Sequence, residues 1–507
     1  MTDKKRAIAT EQLPSDFEKG TVHIPAADSA LTFLRNEAGE TVDVDENKLV
    51  RKIDFMIIPL MWCAYFLQYL DKASTSCANV MGLQADTHTT PDQFSYLALA
   101  FYCSYLVCEI PQGYLMQRFP TAKYLGVQII LWGVCVTMNC ACKSFPALVA
   151  VRVLLGCFES AVAPALILIT GMWATDLYKY KKAEQPTRMG LWYLGTGTGT
   201  IVGALSSYGF QHYVGTTFKT WQIMFLMWGL ITIAVGILIV IFLPDNPMTS
   251  RLSHDEKIFA IERLRNNRTG IENKTFKVYQ MVECLRDPHT WMISLITVSS
   301  SVTNGAVSSF QATIIKGLGY DSRQSALLSI PGGAVNVVSI LSATYVAGRT
   351  NSRGLNIICL IAPAIIGGAL MAFVPKSHGP AGPLIGNYMT NTIGAALPLL
   401  YAWVAANFAG HTKKVTINAI LLMSFCLGNI IGPLTFTGST APVYTPAKIA
   451  IMATGAVAIA STVLMLWKYR NENRRRDRHD VNDRGHVVDS EFMDLTDRQN
   501  PEFRYSL

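Results

Sequence analysis

The sequence predicts an all-α membrane protein with twelve transmembrane helices in two six-helix halves, and three observations predict it. The first is composition: of 507 residues half are hydrophobic and only 15% are charged, with a mean hydropathy of +0.27. That is too apolar for a soluble protein of this size. The second is a series of about twelve apolar runs, each about 20 residues long and so able to cross a roughly 30 Å hydrocarbon core. They fall near 53–76, 94–117, 122–142, 147–172, 188–210, 221–243, 291–315, 324–346, 354–374, 382–407, 415–437 and 446–468. The third is charge: lysine and arginine gather in alternate loops, at Arg118 and Lys123, at 179–188, at 251–268, at Arg349 and Arg353, at Lys413 and Lys414, and at 474–478. By the positive-inside rule these loops and both tails are expected in the cytoplasm. The net charge of +8 is then a topology signal, and no nucleic-acid partner is expected.

The implied organisation is a cytoplasmic tail over 1–50, a first half over 51–243, a cytoplasmic loop over 244–289, a second half over 290–468 and a cytoplasmic tail over 469–507. The first fifty residues are polar, and no signal peptide is expected there.

The first span opens at Arg51-Lys-Ile-Asp54 and stays apolar to Leu70, after which come Asp71, Lys72 and the small residues 73–78. If the helix continues to Gly82, Asp71 and Lys72 face a watery cavity within the bundle. If it stops at Leu70, they mark only the surface end of a span. The continuous helix is the expectation.

Span two ends in Glu109-Ile-Pro-Gln-Gly113 and Arg118, and a related shape, Val346-Ala-Gly-Arg349 with Arg353, recurs after span eight. The recurrence implies two similar halves. Glu109 is expected to pair with the loop arginines Arg118, Arg349 and Arg353 as an inner gate latch, the alternative being a solvated helix end.

Span four carries Arg152 and Glu159 within an apolar run. An ionisable group at bilayer depth costs roughly 2.5–3.5 kcal/mol on insertion scales, so such groups face a protein interior or an aqueous cavity. Seven residues apart, the two lie two helical turns apart on nearly one face, with Gly156 between them. Gly156 admits a neighbouring backbone or a ligand, and Pro164 frees a carbonyl one turn upstream.

Span five places Gly195, Gly199 and Gly203 on one stripe, a face for close helix contact; no strand precedes it, which rejects a dinucleotide loop. In the central loop, Ser253 and Glu256 form a capping box ahead of an apolar stripe of Ile258, Ile261 and Leu264, predicting a short amphipathic helix. The sequons at Asn267 and Asn273 would be cytoplasmic and unmodified.

Asn304, Ser308, Ser309 and Gln311 in span seven, Asn391 in span ten and Asn429 in span eleven are uncharged polar groups. An interhelical hydrogen bond accounts for any one of them. As a set they suggest that the second half offers neutral hydrogen bonds to a ligand while the first half offers charge. The eleven cysteines show no metal-ligand spacing, and most, such as Cys63, Cys103, Cys108, Cys157 and Cys426, read as small apolar residues of spans. Cys140 and Cys142 lie at an outer end. No metal and no cofactor is expected.

Together, Arg152-x-x-x-Gly156-x-x-Glu159-x-x-x-x-Pro164, the loop after span two, the glycine-rich fifth span and the halved plan resemble the major facilitator superfamily. Tyr69-Leu-Asp71-Lys72, Glu109-Ile-Pro111, Leu243-Pro-Asp-Asn-Pro247, Leu328-Ser-Ile-Pro-Gly-Gly333, Asn407-Phe-Ala-Gly-His-Thr-Lys413 and Gly428-Asn-Ile-Ile-Gly-Pro433 are similar to the anion:cation symporter family, in its fungal allantoate permease branch. The resemblance spans about residues 48–470 and implies the major facilitator fold and uptake of a small organic anion with protons. Branch members carry allantoate, ureidosuccinate, nicotinate, pantothenate, biotin or cysteine. It also implies that Lys72, Arg152 and Glu159 take part in anion binding and proton coupling. The first of these positions is usually arginine in the family, and lysine lacks the bidentate fork. Span seven also lacks the arginine of some animal relatives.

The expected mechanism is alternating access with the site between the halves near the midplane. Lys72 and Arg152, with Asn304, Gln311 and Asn391, bind the anion; Glu159 holds the transported proton, with Asp71 as the second candidate. Arg152 neutralises Glu159 until the anion claims it, whereupon the glutamate takes up a proton. The expected partners are an anionic small molecule, protons and the bilayer, with a monomer in the plasma membrane. The alternatives are a proton-driven exporter of a small metabolite or drug, and a nutrient sensor that transports nothing. No nucleophile–base pair or metal cluster points to an enzyme.

Overall fold

The computed structural model describes residues 45–173, 184–213, 218–245, 250, 252–257, 277–350, 352–374, 379–441, 443–480, 496–500 and 503–507. Ile258, Ile261, Leu264, Asn267 and Asn273 lie outside the described residues, as do the lysines of 179–182 and the first 44 positions.

The chain is all helix-and-loop among these residues, and its helices form twelve passes. In the first half they are α1 (Glu46–Val80), α2 (Pro91–Arg118), α3 (Thr121–Met138), α4 (Phe145–Glu159, resumed at Val162–Trp173), α5 (Glu184–Tyr193 and Gly195–Phe210) and α6 (Thr220–Phe242). In the second they are α7 (Pro288–Gly317), α8 (Ser322–Leu327 and Ile330–Arg349), α9 (Arg353–Phe373), α10 (Ala381–Thr390, a 3-10 stretch Asn391–Ala395, then Ala396–Asn407), α11 (His411–Leu434) and α12 (Thr445–Asp480). Ten passes are long and apolar enough to cross a bilayer on those grounds alone. The two that are not, α5 and α7, carry the glycine stripe and the serine-rich polar run, because both face protein on most sides and need little lipid-facing surface.

Two glycine faces make α5 the hinge piece of the bundle. A Cβ on Gly195 would lie 2.6 Å from the Phe66 amide and one on Gly199 3.0 Å from the Phe66 carbonyl, so the expected stripe seats α5 directly on the backbone of α1. Gly197 faces the other way, where a Cβ would meet the Gly333 carbonyl of α8 at 2.8 Å. Backbone therefore meets backbone across the two halves. Gly156 serves the same end inside the first half: a Cβ there would run into the Ser104 side chain and the Phe101 carbonyl of α2, and no ligand is needed to account for it.

The passes alternate direction, so one end of the bundle carries the basic loops and the other, the far end, does not. At the far end the halves are stitched together. Asn79 donates to Thr313 (3.0 Å), Ser322 to the Val80 carbonyl (2.8 Å), Ser95 to the Phe436 carbonyl (3.1 Å) and the Gly438 amide to Asp92 (2.6 Å).

The loop between the halves holds more than expected. The capping box is present, with the Ser253 amide donating to Glu256 (2.8 Å) and the Glu256 amide to Ser253 Oγ (3.3 Å). A further helix, Val278–Arg286, had no counterpart in the sequence reading. Its buried Gln280 accepts from the Thr412 amide at 3.0 Å, satisfying one of the orphan donors at the start of α11. The last helix overruns its expected span by more than three turns and absorbs the arginines at 474–476 that the sequence assigns to a free tail. Residues 496–500 and 503–507 then return to the basic end of the second half, where Thr496, Asp497 and Tyr505 are buried.

Candidate functional site

Four charged side chains meet in the interior of the first half. The α1 helix runs unbroken through Asp71 and Lys72 to Val80, which settles the two sequence readings in favour of the continuous helix. Asp71 is 2% exposed, Arg152 6% and Glu159 0%. The pairing is crossed. Lys72 Nζ lies 3.0 Å from Glu159 Oε1, and Arg152 Nη1 lies 3.6 Å from Asp71 Oδ2 while its Nη2 donates to Thr75 at 2.5 Å. The expected Arg152–Glu159 pair is not formed. Seven residues of helix separate the two by roughly 10 Å along the axis, and α1 sets an acid and a base side by side between them.

These ions are held loosely. Neither oxygen of Asp71 nor Nε of Arg152 has a hydrogen bond among the described residues, and Glu159 has only the side chains of Lys72 and Gln68 beside it. Buried charge is usually paired and hydrogen-bonded throughout, so a cluster short of partners is poised to accept new ones. Glu159 also ends a helix: α4 stops there and resumes at Val162, two residues before Pro164. The Ser160 amide still bonds Gly156 at 3.2 Å, so the break follows the glutamate and leaves the charged face intact.

Lys72 opens onto a narrow cavity between the halves, tight enough in this conformation that cargo must part its walls to enter. Tyr65, Tyr69, Tyr102, Tyr105 and Tyr193 line it from the first half, and Asn304, Ser308, Pro398, Tyr401 and Phe425 from the second. Lys72 sits over the rings of Phe101 (5.4 Å) and Tyr102 (5.8 Å), a cation-π seat that holds the ammonium at the wall. A smaller adjoining space is lined by Lys72, Thr75, Arg152, Ser308 and Ser309, so both cations border voids that reach the second half.

The neutral groups divide. Asn304 borders the cavity and donates to Asn429 at 3.0 Å. Gln311 and Asn391 do not border it: Gln311 points to the Ser329 carbonyl (3.4 Å) and Asn391 to the Asn387 carbonyl (2.9 Å), both packed against Gly332. Gln311 thus bonds from α7 to α8, while Asn391 bonds back within α10. The tyrosine lining was missed by the sequence reading. Its signal was there, since Tyr65, Tyr69 and Lys72 are spaced i, i+4, i+7 on α1 and Tyr102 and Tyr105 are three apart on α2.

The gate latch is not formed. Glu109 lies half-buried with Oε2 lacking a partner, Arg118 stacks on Tyr114 (5.0 Å), Arg349 stacks on Tyr345 (4.7 Å) and Arg353 faces Ser506 (3.5 Å). The hydrogen bonds that join the halves at the far end therefore have no counterpart among these four gate residues at the basic end. No group of three or more metal-ligating side chains is present among the described residues. Cys140 and Cys142 are free thiols.

Residues 61–433 match the family model of the Major Facilitator Superfamily. The thiamine pathway transporter THI73 of Saccharomyces cerevisiae is 37% identical, with 96% of this chain and 95% of that one aligned. The allantoate permease of the same yeast is 35% identical over 92% of this chain and 88% of its own. Among solved structures, a bacterial homolog to the human lysosomal transporter Spinster, in inward-facing and unoccupied conformation, superposes with a TM-score of 0.58 at 14% identity, covering 83% of this chain and 97% of that one.

Proposed function

The chain belongs to the major facilitator superfamily, in the branch of the fungal allantoate permease, and from that premise we propose that it is a proton-coupled importer of a small organic anion. That it is a multi-pass membrane transporter follows from the family and its relatives. The finer reading rests on one observation, the crossed pairs Lys72–Glu159 and Arg152–Asp71, whose cations border voids between the halves. The basic end is taken as cytoplasmic on the positive-inside rule, which makes the stitched far end the outer one; an importer so oriented would work in the plasma membrane.

In the empty site each cation is neutralised by its own carboxylate. An arriving carboxylate meets Lys72 at the cavity wall and competes with Glu159 for it, while Arg152 approaches from behind. Glu159 has no exposure to water, so an ionised carboxylate that loses its ammonium there costs several kcal/mol and binds a proton instead. The loaded site is then Lys72 with the anion, Arg152 with Asp71, and a neutral Glu159. That site carries no more net charge than the empty one, and either can reorient. Proton and anion travel together because neither change is favourable alone.

Allantoate, the cargo named by one relative, is a small carboxylate of the class this site would take. The aromatic lining favours a second reading, a proton-driven exporter of a flat metabolite, in which the same glutamate exchanges a proton for cargo.

Glu159→Gln in reconstituted vesicles decides the coupling role, with labelled allantoate and a panel of labelled carboxylates as probes. It should keep counterflow within a few-fold of wild type and lose accumulation driven by an imposed pH difference. A variant that still concentrates a probe would transfer the coupling role to Asp71. Efflux driven by inward proton flow would select the exporter.

A further inference from the structure

A second cluster of buried charge lies at the basic end of the second half, and the transport mechanism above does not use it. Lys413, wholly buried at the start of α11, lies 2.9 Å from Glu283, 3.1 Å from Asp287 and 2.8 Å from Asp497. The last of these comes from the returning segment. Thr496 Oγ1 donates to Glu283 (3.1 Å) and Arg498 reaches Asp287 (2.9 Å). Tyr505 stacks on Tyr469 with centroids 4.6 Å apart and donates to Asp497 (2.9 Å). The Ser506 amide donates to Asn407 (2.7 Å), and the Ser506 carbonyl accepts from Trp403 Nε1 (3.1 Å) and Asn407 Nδ2 (3.0 Å). Arg476 donates to the carbonyls of Asp497, Asn500 and Phe503.

We propose that residues 496–500 and 503–507 are a releasable internal ligand of this socket, and that their docking restrains the half-helix Ala396–Asn407, which forms one wall of the transport cavity.

Release is compatible with the electrostatics. Of the segment's charges, Asp497 and Arg498 enter the socket, one of each sign, and Arg504 pairs with the exposed Asp477; without them Lys413 keeps both Glu283 and Asp287. Arg353, covered by Ser506, is uncovered to solvent when the segment leaves, whereas removing Lys413 itself would leave three carboxylates with Arg498 on Asp287 as their remaining arginine partner. Because the segment is tethered to the end of α12, it rebinds as an intramolecular ligand at high effective concentration, and many individually weak hydrogen bonds suffice.

Restraint follows from geometry. The 3-10 stretch Asn391–Ala395 separates Ala396–Asn407 from the rest of α10. This short helix shows Leu397, Pro398 and Tyr401 to the cavity, and its Trp403 and Asn407 are tied to Ser506. Moving it toward bound cargo breaks three hydrogen bonds to the segment. Occupancy of the socket therefore sets how freely this wall closes. Docking stands apart from the identity of the cargo; only the bearing on transport rests on the reading above.

Hydrogen–deuterium exchange of the full chain in lipid nanodiscs tests this without a substrate. In the wild type the amides of Tyr505 and Ser506 should exchange at least tenfold more slowly than in Thr496→Glu, which sets a second carboxylate against Glu283, and Thr496→Ser should behave as wild type. In Thr496→Glu, exchange over 396–407 should quicken by a comparable factor while α3 stays unchanged. Arg476→Gln, which removes three carbonyl contacts, is the second variant should the first lose α3 protection and so prove unfolded. Exchange of Tyr505 and Ser506 in the wild type at free-peptide rates would overturn docking. An undocked segment with 396–407 still as slow as in the wild type would overturn the restraint.

Discussion

The molecule buries charge in two places and treats it oppositely. In the first half, Lys72 and Arg152 border voids between the halves with Asp71 and Glu159 buried behind them, and Asp71 and Arg152 are short of hydrogen bonds. In the second, Lys413 is gripped by three carboxylates, and no side-chain atom of Lys413, Glu283, Asp287 or Asp497 lacks a partner among the described residues. Desolvation burdens both clusters, and they differ in what offsets it. A saturated cluster has nowhere to put a new ligand and serves to fix helices. An under-satisfied one retains unspent hydrogen-bonding capacity, which is what a site that must exchange partners on every cycle requires.

The sharpest contrast comes from removing one cation from each cluster. Arg152→Ala should abolish both uptake and counterflow, by 100-fold or more, with surface expression near normal, because truncating Arg152, which borders the smaller void, opens that void onto Asp71. Lys413→Ala should do the reverse. Leaving Glu283 and Asp497 without their lysine, and Asp287 with Arg498 alone, costs about 3–5 kcal/mol, to be read as a large fall in the thermal midpoint and in yield. If Lys413→Ala is as stable as wild type but dead in transport, the two clusters are not different in kind.

A smaller effect separates them by pH. Burial by itself would raise the Asp287 carboxyl, but the hydrogen bond with His289 and the charge of Lys413 outweigh it and hold the group well below the usual carboxylate range. A depressed folded value means that its stabilising contribution is complete above the unfolded carboxylate value of about 3.9 and is lost as pH falls through the folded one. Thermal midpoints should therefore stay level from pH 8 to about 5 and drop only below about 4, whereas pH-driven uptake should change across the neutral range. Midpoints that slope with uptake across neutral pH would erase the distinction.

The smallest effect concerns the neutral groups. Gln311→Leu should lower stability by about 0.6–1 kcal/mol, as for other interhelical hydrogen bonds in bilayers, and leave apparent affinity for cargo unchanged. Asn304→Leu, at the cavity wall, should shift affinity instead. Competition binding with both variants separates a packing role from a contact role.

Much of this was legible in the residues. Period and composition gave the passes, the i, i+7 spacing of Arg152 and Glu159 gave a common face, and the four-residue glycine spacing gave the α1 contact. What could not be read was rotation between helices. The crossed pairing depends on which way α1 turns its Asp71-Lys72 pair toward α4, and that angle is set by Gly195 and Gly199 seating α5 against α1, a tertiary fact. The returning segment was hidden for another reason. Thr496, Asp497 and Arg498 read as solvated tail because each is polar, and only the socket, assembled from Glu283, Asp287 and Lys413 of separate elements, makes a place to bury them. Gln311 and Asn391 show the converse: a polar residue at helical spacing in a span indicates that it is partnered, and not by what.

The glycine crossing of α5 and α8 bears on the mechanics of the whole. Where Gly197 meets Gly333, each glycine leaves a hollow that a side chain of the other helix fills, Val337 of α8 over Gly197 and Ile201 of α5 over Gly333, so tilting one half over the other slides these two knobs across bare backbone. Such a crossing behaves as a close-fitting bearing, intolerant of grit. A single methyl at either glycine would jam it without touching the site, leaving a transporter that binds its cargo and cannot turn over.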